Sequence, residues 1–415
     1  MTELGIAITL TTALLLAVEF LRHRRSPLPV RGWIGMALLA VAEILMFLHV
    51  WPVNVYFTPI AWTAYLLLAD SMVEAITGRS RMKDSSRRFL LCAFLSIPLW
   101  LIFEAYNLRL ANWTYVGVPQ NWAGAILGYG WSFATITPGI LETADLIEAF
   151  GWFDRVSQGT TSLFADKTAV RGALKGRGFS RAEQVLDLCH SERASAREEP
   201  AVSNVSTASS VVPPQRTSTP WGFEVPQGRN GSPVSKRPLR FSQATERAMV
   251  VFGAACLLIP LVIPLRIAAY LFVLIWVGFV FLLDPVNHRL GLPSLLGDLA
   301  EGRRGRFYSL LLSGWVCGWL WEFWNSWAAA KWHYIFPMFQ EWKIFEMPAP
   351  GFLGFLPFAL ECFVMYVSAA AALGVRERAA AHLRAKSCPE KSTSACPSTC
   401  AIRGASRTAR ECSSR

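Results

Sequence analysis

Charge is scarce in this sequence. Aspartate, glutamate, lysine and arginine make up 17% of its 415 residues and hydrophobic residues 53%, whereas a soluble chain of this size ordinarily carries about a quarter charged residues. Mean hydropathy is +0.33, and several apolar runs reach roughly 18 residues or more, enough to span a bilayer. Both argue against a soluble globular fold. Histidine is equally thin, with six in the chain. Only His333 stands near a polar motif, and no second histidine lies at zinc-ligand spacing from it. The sequence has no aspartate-rich DxxxD run, so nothing supports a carboxylate-held magnesium ion. No metal or cofactor is expected. No basic segment precedes the first apolar run, where Glu3 stands instead, so a cleaved signal peptide is not expected either.

The nine cysteines form no disulfide framework. Cys92, Cys256, Cys317 and Cys362 lie in apolar runs, where cysteine behaves as a small hydrophobe. Cys388, Cys396, Cys400 and Cys412 lie in a polar tail without zinc-ligand spacing, and on the cytoplasmic side thiols stay reduced.

Basic residues are present, but they gather in loops between apolar runs. The net charge of +11 therefore reads as a cytoplasmic-loop bias, and nucleic acid is not expected as a partner. Spanning helices are expected near Leu4–Leu21, Ile34–Val50, Phe57–Ile76, Phe89–Tyr106, Gly130–Phe150, Ala248–Leu265, Ile267–Asp284, Phe307–Trp327 and Gly351–Leu373. The loop after the first helix holds Arg22, Arg24, Arg25 and Arg31, and the loop after the third holds Arg79, Arg81, Lys83, Arg87 and Arg88. The loops after the second and fourth hold only Arg109 between them. Arg289, Arg303, Arg304 and Arg306 follow the seventh helix, and Arg376 and Arg378 follow the ninth. Every second loop is basic. A multi-pass protein of the cell membrane is expected, with its N-terminus outside and its C-terminus in the cytoplasm.

The two halves repeat each other. WTAYLLLAD (Trp62–Asp70) matches WVGFVFLLD (Trp276–Asp284) at an offset of 214. Arg88-Phe89 and Arg306-Phe307 precede Glu104 and Glu322 by the same interval. Asn107 and Asn325, Trp113/Tyr115 and Trp332/Tyr334, and Pro138/Glu142 and Pro357/Glu361 follow in the same order. The fold expected is all-α: a polytopic integral membrane protein of about nine helices, built from two four-helix repeats plus an N-terminal helix. Residues 1–31 carry that first helix and a basic loop, 32–153 the first repeat and 247–374 the second. Segments 154–246 and 375–415, rich in Ser, Thr, Pro and Arg, read as disordered cytoplasmic linker and tail. A short helical stretch at Arg181–Leu188 is compatible with the sequence. The linker would let both halves fold as separate bundles joined by a flexible connection. An even number of helices per unit makes the repeat parallel, with a pseudo-twofold along the membrane normal.

Matched carboxylates are the candidate chemistry. Glu104, Glu142, Glu322 and Glu361 lie in or near apolar helices, where an ionisable group costs a few kcal/mol or more. Each Glu–Asn pair is three residues apart, on one helical face, and is expected to meet its mirror partner near the outer surface. Glu142 and Glu361 each follow a proline by four residues, where a freed carbonyl opens a polar pocket. Asp70 and Asp284 lie toward the cytoplasmic ends, where aspartate can be solvated, and Glu43 has no counterpart. Eleven tryptophans fall within Trp100–Trp131 or Trp315–Trp342. Some form an interfacial belt, but Trp319, Trp321, Trp324 and Trp327 encircle one helix, so some must face inward. Asn107, Asn325, Trp113, Tyr115, Trp332, Tyr334, Trp321 and Trp324 are therefore the candidate binding residues.

Three functions are compatible with these features. One is an intramembrane enzyme acting on a lipid or isoprenoid, with the glutamates as acid and base. The second is a proton- or cation-coupled carrier of a small solute. The third is a non-catalytic assembly or lipid-binding protein whose polar groups only join helices. Membrane lipids and a hydrophobic small molecule are the expected partners. The duplicated helical unit with LPFALECF (Leu356–Phe363) loosely resembles carotenoid-modifying membrane enzymes such as the all-helical lycopene cyclases. In those enzymes adjacent acidic residues stand closer to the proline than Glu361 does here.

Overall fold

The structure is a computed structural model that describes residues 1–153 and 241–374. Most of the expected linker, the tail and the stretch at Arg181–Leu188 lie outside the described residues. Nine helices of 15 residues or more occur among them. They are α1 (Thr2–His23), α2 (Val30–Phe47), α3 (Phe57–Thr77), α4 (Ser86–Leu110), α5 (Trp122–Phe150), α6 (Gln243–Val262), α7 (Ile275–Arg289), α8 (Gly305–Trp327) and α9 (Phe355–Ala372). Seven, all but α5 and α8, are long and apolar enough to cross a membrane, α7 together with its preceding 3-10 turn. The other two carry polar and tryptophan-rich faces that are turned inward: Glu142 on α5, and Glu322, Trp324 and Asn325 on α8, are buried.

Burial divides the helices into layers. In α3 and in the α9 segment, 67% of the apolar window is buried, against 22% in α1, α2 and α4. The inner helices therefore pack on protein, and the outer ones present apolar side chains outward. One core runs through both halves, joining Trp62, Phe103, Trp276, Trp321 and Phe358, and the described residues belong to one compact unit. Aromatic side chains of α3, α4, α7 and α8 interlock across the halves in this core.

Matched residues do matched work. Gly35 of α2 lies against the Ala64 carbonyl and Leu68 of α3, and Gly253 of α6 against the Gly278 carbonyl and Leu282 of α7. Ala64/Gly278 and Leu68/Leu282 are related by the same offset of 214 as the tryptophans. A side chain at either glycine would force these helix pairs apart. Beyond α3, Asp70 accepts from Ser80 Oγ at 2.7 Å and from the Met82 N–H at 3.1 Å. Beyond α7, Asp284 accepts from the N–H groups of Leu295 and Leu296 at 2.7 and 2.8 Å. Each aspartate thus caps a short helical turn (Arg81–Asp84 and Leu295–Ala300) whose N-cap serine is also matched, Ser80 and Ser294. Both aspartates are buried. Their solvation comes from protein, since free N–H groups at a helix start hold a carboxylate as water would.

Three helix limits differ from expectation. α6 ends at Val262, where Pro264 holds Ile263 extended, and α7 begins at Ile275 rather than Ile267, after a four-residue helix at Leu265–Ala268 and a 3-10 turn at Phe272–Leu274. α5 begins eight residues early because the Asn121 side chain accepts from the Gly124 N–H at 2.6 Å. Pro357 falls in the first turn of α9, where its missing N–H has no intrahelical partner to lose. Of the matched pair Pro138 and Pro357, only Pro138 stands inside its helix as expected. Beside it the Ser96 hydroxyl donates to the Phe133 carbonyl at 2.5 Å and accepts from the Thr137 N–H at 3.0 Å. A side chain from α4 thereby replaces one rung of the α5 ladder.

Between α4 and α5 lies β1 (Trp113–Val116), and after α8 comes β2 (Lys331–Tyr334). They pair antiparallel, with Trp113 opposite Tyr334, Thr114 opposite His333 and Tyr115 opposite Trp332. Each half thus contributes one strand to a two-stranded ribbon. Matched residues exchange places across its centre.

Candidate functional site

The site is built by the two Glu–x–x–Asn turns. At the end of α4, the Asn107 side chain accepts from the N–H groups of Asn112 and Trp113 at 2.8 and 3.1 Å and donates to the Trp113 carbonyl at 2.9 Å. At the end of α8, Asn325 accepts from the Trp332 N–H at 3.0 Å and donates to the Trp332 carbonyl at 2.9 Å. An asparagine amide mimics a strand edge, so each helix end folds its own following strand back against itself. One turn earlier on the same face stands the glutamate. Glu104 accepts from Trp100 Nε1 at 2.8 Å, from Trp113 Nε1 at 3.3 Å and from the Tyr115 hydroxyl. Glu322 accepts from Trp332 Nε1 at 3.3 Å and the Tyr334 hydroxyl at 2.9 Å.

Direct pairing of Glu104 and Asn107 with Glu322 and Asn325 was the expectation, and it is corrected. Each pair takes its hydrogen bonds from its own half, and the halves meet through the strands that the pairs hold. The reason is reach. A carboxylate or amide at a helix end finds its own strand a few residues away before it finds the other half.

The halves differ in one respect. Glu104 and Asn107 are half-buried, whereas Glu322 and Asn325 are fully buried. α1 packs along α8. The place of Trp100 is taken in the second half by Gly318, into which Phe355 packs. Glu322 therefore lacks the third donor that Glu104 has, and its Oε2 has no partner.

Beneath the ribbon is a cavity of about 130 Å³. In an antiparallel ribbon, alternate residues and their opposite partners share one face. Trp113, Tyr115, Trp332 and Tyr334 share such a face, and all four line the cavity. Trp62 and Trp276, the matched tryptophans of α3 and α7, line it as well, with Trp100 and Trp321. Thirteen of its 24 lining residues are aromatic and none is acidic, so the walls are ring surfaces. Burial, and then the adjacent Glu104 carboxylate, push the Tyr115 phenol well above its ordinary value. Burial and Glu322 do the same at Tyr334. Both phenols remain protonated donors at neutral pH.

Of the candidate residues, Trp113, Tyr115, Trp321, Trp332 and Tyr334 reach the cavity. Glu104 and Glu322 stand directly behind its walls. Asn107 and Asn325 fasten the ribbon. Trp324 faces elsewhere: its Nε1 donates to Glu43 at 3.3 Å, and its ring meets Trp62 at 5.2 Å. Glu142 and Glu361 are fully buried away from the cavity. Glu361 accepts from the Phe279 N–H at 3.1 Å. Neither Glu142 oxygen has a hydrogen-bond partner, and its nearest cation is Arg81 at 3.8 Å. Because Arg81 belongs to the loop after α3 and also grips Asp145, Glu142 lies toward that end of α5 and not at its middle. His333 binds Glu346 through Nδ1.

Trp62, Trp100, Tyr129 and Trp276 were not among the expected site residues. The offset that pairs Trp62 with Trp276 was a usable signal. Nothing in the sequence singled out Tyr129. Set beside protein-family models, curated proteins and solved structures, the chain matches none of them, so its function has to be read from this geometry.

Proposed function

We propose that the chain is a nine-helix integral membrane protein formed by two parallel copies of a four-helix unit, with α1 as an added helix. In this reading its central aromatic cavity binds part of a lipid or isoprenoid and carries out acid–base chemistry on it. The cavity lies on the pseudo-twofold axis, which passes between Thr114 and His333, and the ribbon roofs it. The positive-inside rule puts the ribbon at the outer leaflet, with the N-terminus outside and the C-terminus in the cytoplasm.

One observation carries the reading: Tyr115 and Tyr334 each line the cavity and each donate to a carboxylate behind it. A proton leaving the ligand would pass to a phenol oxygen as that phenol's own proton passes to Glu104 or Glu322. The ligand would then meet an aromatic hydroxyl, and the charge change would stay on the carboxylate, out of contact with lipid. Glu142 and Glu361, away from the cavity, have no part in this step.

The test is lipid extraction and mass spectrometry of cells producing the wild type or the Glu104→Gln/Glu322→Gln variant. A lipid species should change in abundance with the wild type and not with the variant. An identical profile from both would reject the enzyme reading and favour a purely binding or assembly role.

A further inference from the structure

The structure also indicates what kind of group the cavity takes. We infer that it binds a quaternary ammonium group, which lies against the ring faces of the ribbon and is neutralised through them by Glu104 and Glu322. The inference rests on the proposal above that the cavity is a ligand site.

Size comes first. About 130 Å³ is close to the roughly 150 Å³ that holds a benzene-sized group. A compact head such as trimethylammonium fills that volume, whereas a long chain would have to extend out of it.

Polarity comes second. The hydrogen-bonding tips of Trp100, Trp113, Tyr115, Trp332 and Tyr334 are all engaged on the two carboxylates. What they leave toward the cavity is ring surface. A primary ammonium would lose its hydration there and find few acceptors. A quaternary ammonium has no N–H to satisfy, and aromatic faces bind it well.

Charge comes third and separates a cation from a neutral group. Among the described residues neither Glu104 nor Glu322 forms an ion pair; buried Glu361 and Asp284 form none either, but they lie away from the cavity, and the remaining acidic clusters are paired. Asp70 and Glu74 have Arg31, Asp145 has Arg81, Asp298 has Arg303 and Arg306, and Glu246 has Arg289. Lys331, the one cationic residue lining the cavity, gives its ammonium to Glu346 at 3.0 Å and to the Ser326 carbonyl at 3.1 Å. Carboxyl groups with no cation within ion-pair distance, on the far side of aromatic walls, make the interior attractive to a positive charge wherever they are ionised. Hydrogen bonds from the ring N–H and O–H groups to those carboxylates also enrich the ring faces in electron density.

The group could arrive on a free molecule or on a lipid headgroup, and the experiment separates the two. Full-length protein in maltoside detergent is titrated with choline, with its uncharged carbon isostere 3,3-dimethyl-1-butanol, and with phosphatidylcholine in nanodiscs. Binding is read by calorimetry and by the shift in thermal unfolding. Choline, or the choline lipid alone, should bind saturably and at least tenfold more tightly than the isostere or a phosphatidylglycerol nanodisc. The first result marks a free ligand and the second a headgroup. Trp332→Leu should weaken binding about tenfold and Trp332→Phe less, because the smaller ring keeps the packing but offers the cation a poorer face. Glu104→Gln/Glu322→Gln should abolish the preference for the cation and leave isostere binding unchanged. Equal affinity for choline and its isostere, or a preference that survives loss of both carboxylates, would overturn the inference without touching the enzyme reading. An unchanged cellular lipid profile with intact choline binding would do the reverse.

Discussion

Trp62 of α3 lies 4.8 Å, ring centroid to ring centroid, from Trp321 of α8. The exchanged pair, Trp276 of α7 and Phe103 of α4, lies 5.4 Å apart. Trp62 corresponds to Trp276 and Phe103 to Trp321, so one contact is made twice, once in each direction. The ribbon repeats the pattern, with Trp113 opposite Tyr334 and Tyr115 opposite Trp332. Reciprocal contacts of this kind are what the proposed parallel repeat would make, as in the isologous interface of a twofold dimer. They enclose a cavity to which both halves contribute.

The ribbon can be tested by cross-linking. Thr114 and His333 are directly opposed, at a spacing that suits a disulfide. Thr114→Cys/His333→Cys should oxidise to an intramolecular bridge, detected as a joined peptide by mass spectrometry. Val116→Cys/His333→Cys, two residues out of register, should not.

The asparagines should matter for stability, and unequally. Asn325→Ala strips partners from the N–H and carbonyl of Trp332 in a fully buried position, which should cost about 2 kcal/mol or more. Asn107→Ala, in the half-buried counterpart, should cost about 1 kcal/mol. Thermal unfolding in detergent checks both. An equal loss would mean that burial does not set the difference.

Arg81 should be hard to replace. It grips Asp145 and is the nearest cation to Glu142, so Arg81→Ala leaves the buried Glu142 and the half-buried Asp145 uncompensated, a loss of about 3–5 kcal/mol in comparable cases. Adding Glu142→Gln and Asp145→Asn should recover a large part of it, as measured by the yield of folded protein.

Thr58 should behave in the opposite way. Its Oγ1 is buried and has no hydrogen-bond partner. Thr58→Val removes a desolvated hydroxyl and keeps the shape, so thermal stability should hold or rise by up to about 1 kcal/mol. A fall of that size would show that the hydroxyl has a partner in the folded protein.

Orientation is open to labelling. Lys343→Cys, beside the ribbon, should react with a membrane-impermeant maleimide added to intact cells. Arg79→Cys, in the loop after α3, should react only after the membrane is opened. The reverse pattern would overturn the proposed topology.

The helical class, the places of the apolar runs and the matched motifs were legible in the sequence, because hydrophobic length and residue spacing act locally along the chain. Glu104–Asn107 and Glu322–Asn325 were visible as pairs for the same reason, since a three-residue spacing on a helix fixes a shared face. Tertiary structure decided what each pair touches. Asn107 and Asn325 turned to their own strands, Glu104 and Glu322 to the tryptophans and tyrosines of those strands, and Asp70 and Asp284 to the loop turns that follow. Those choices depend on which donor reaches a buried carboxylate first once the helices have packed. The cavity likewise exists only because Trp62, Trp113, Trp276 and Trp332, more than 200 residues apart along the chain at the extremes, meet around one point, and no local pattern encodes that meeting.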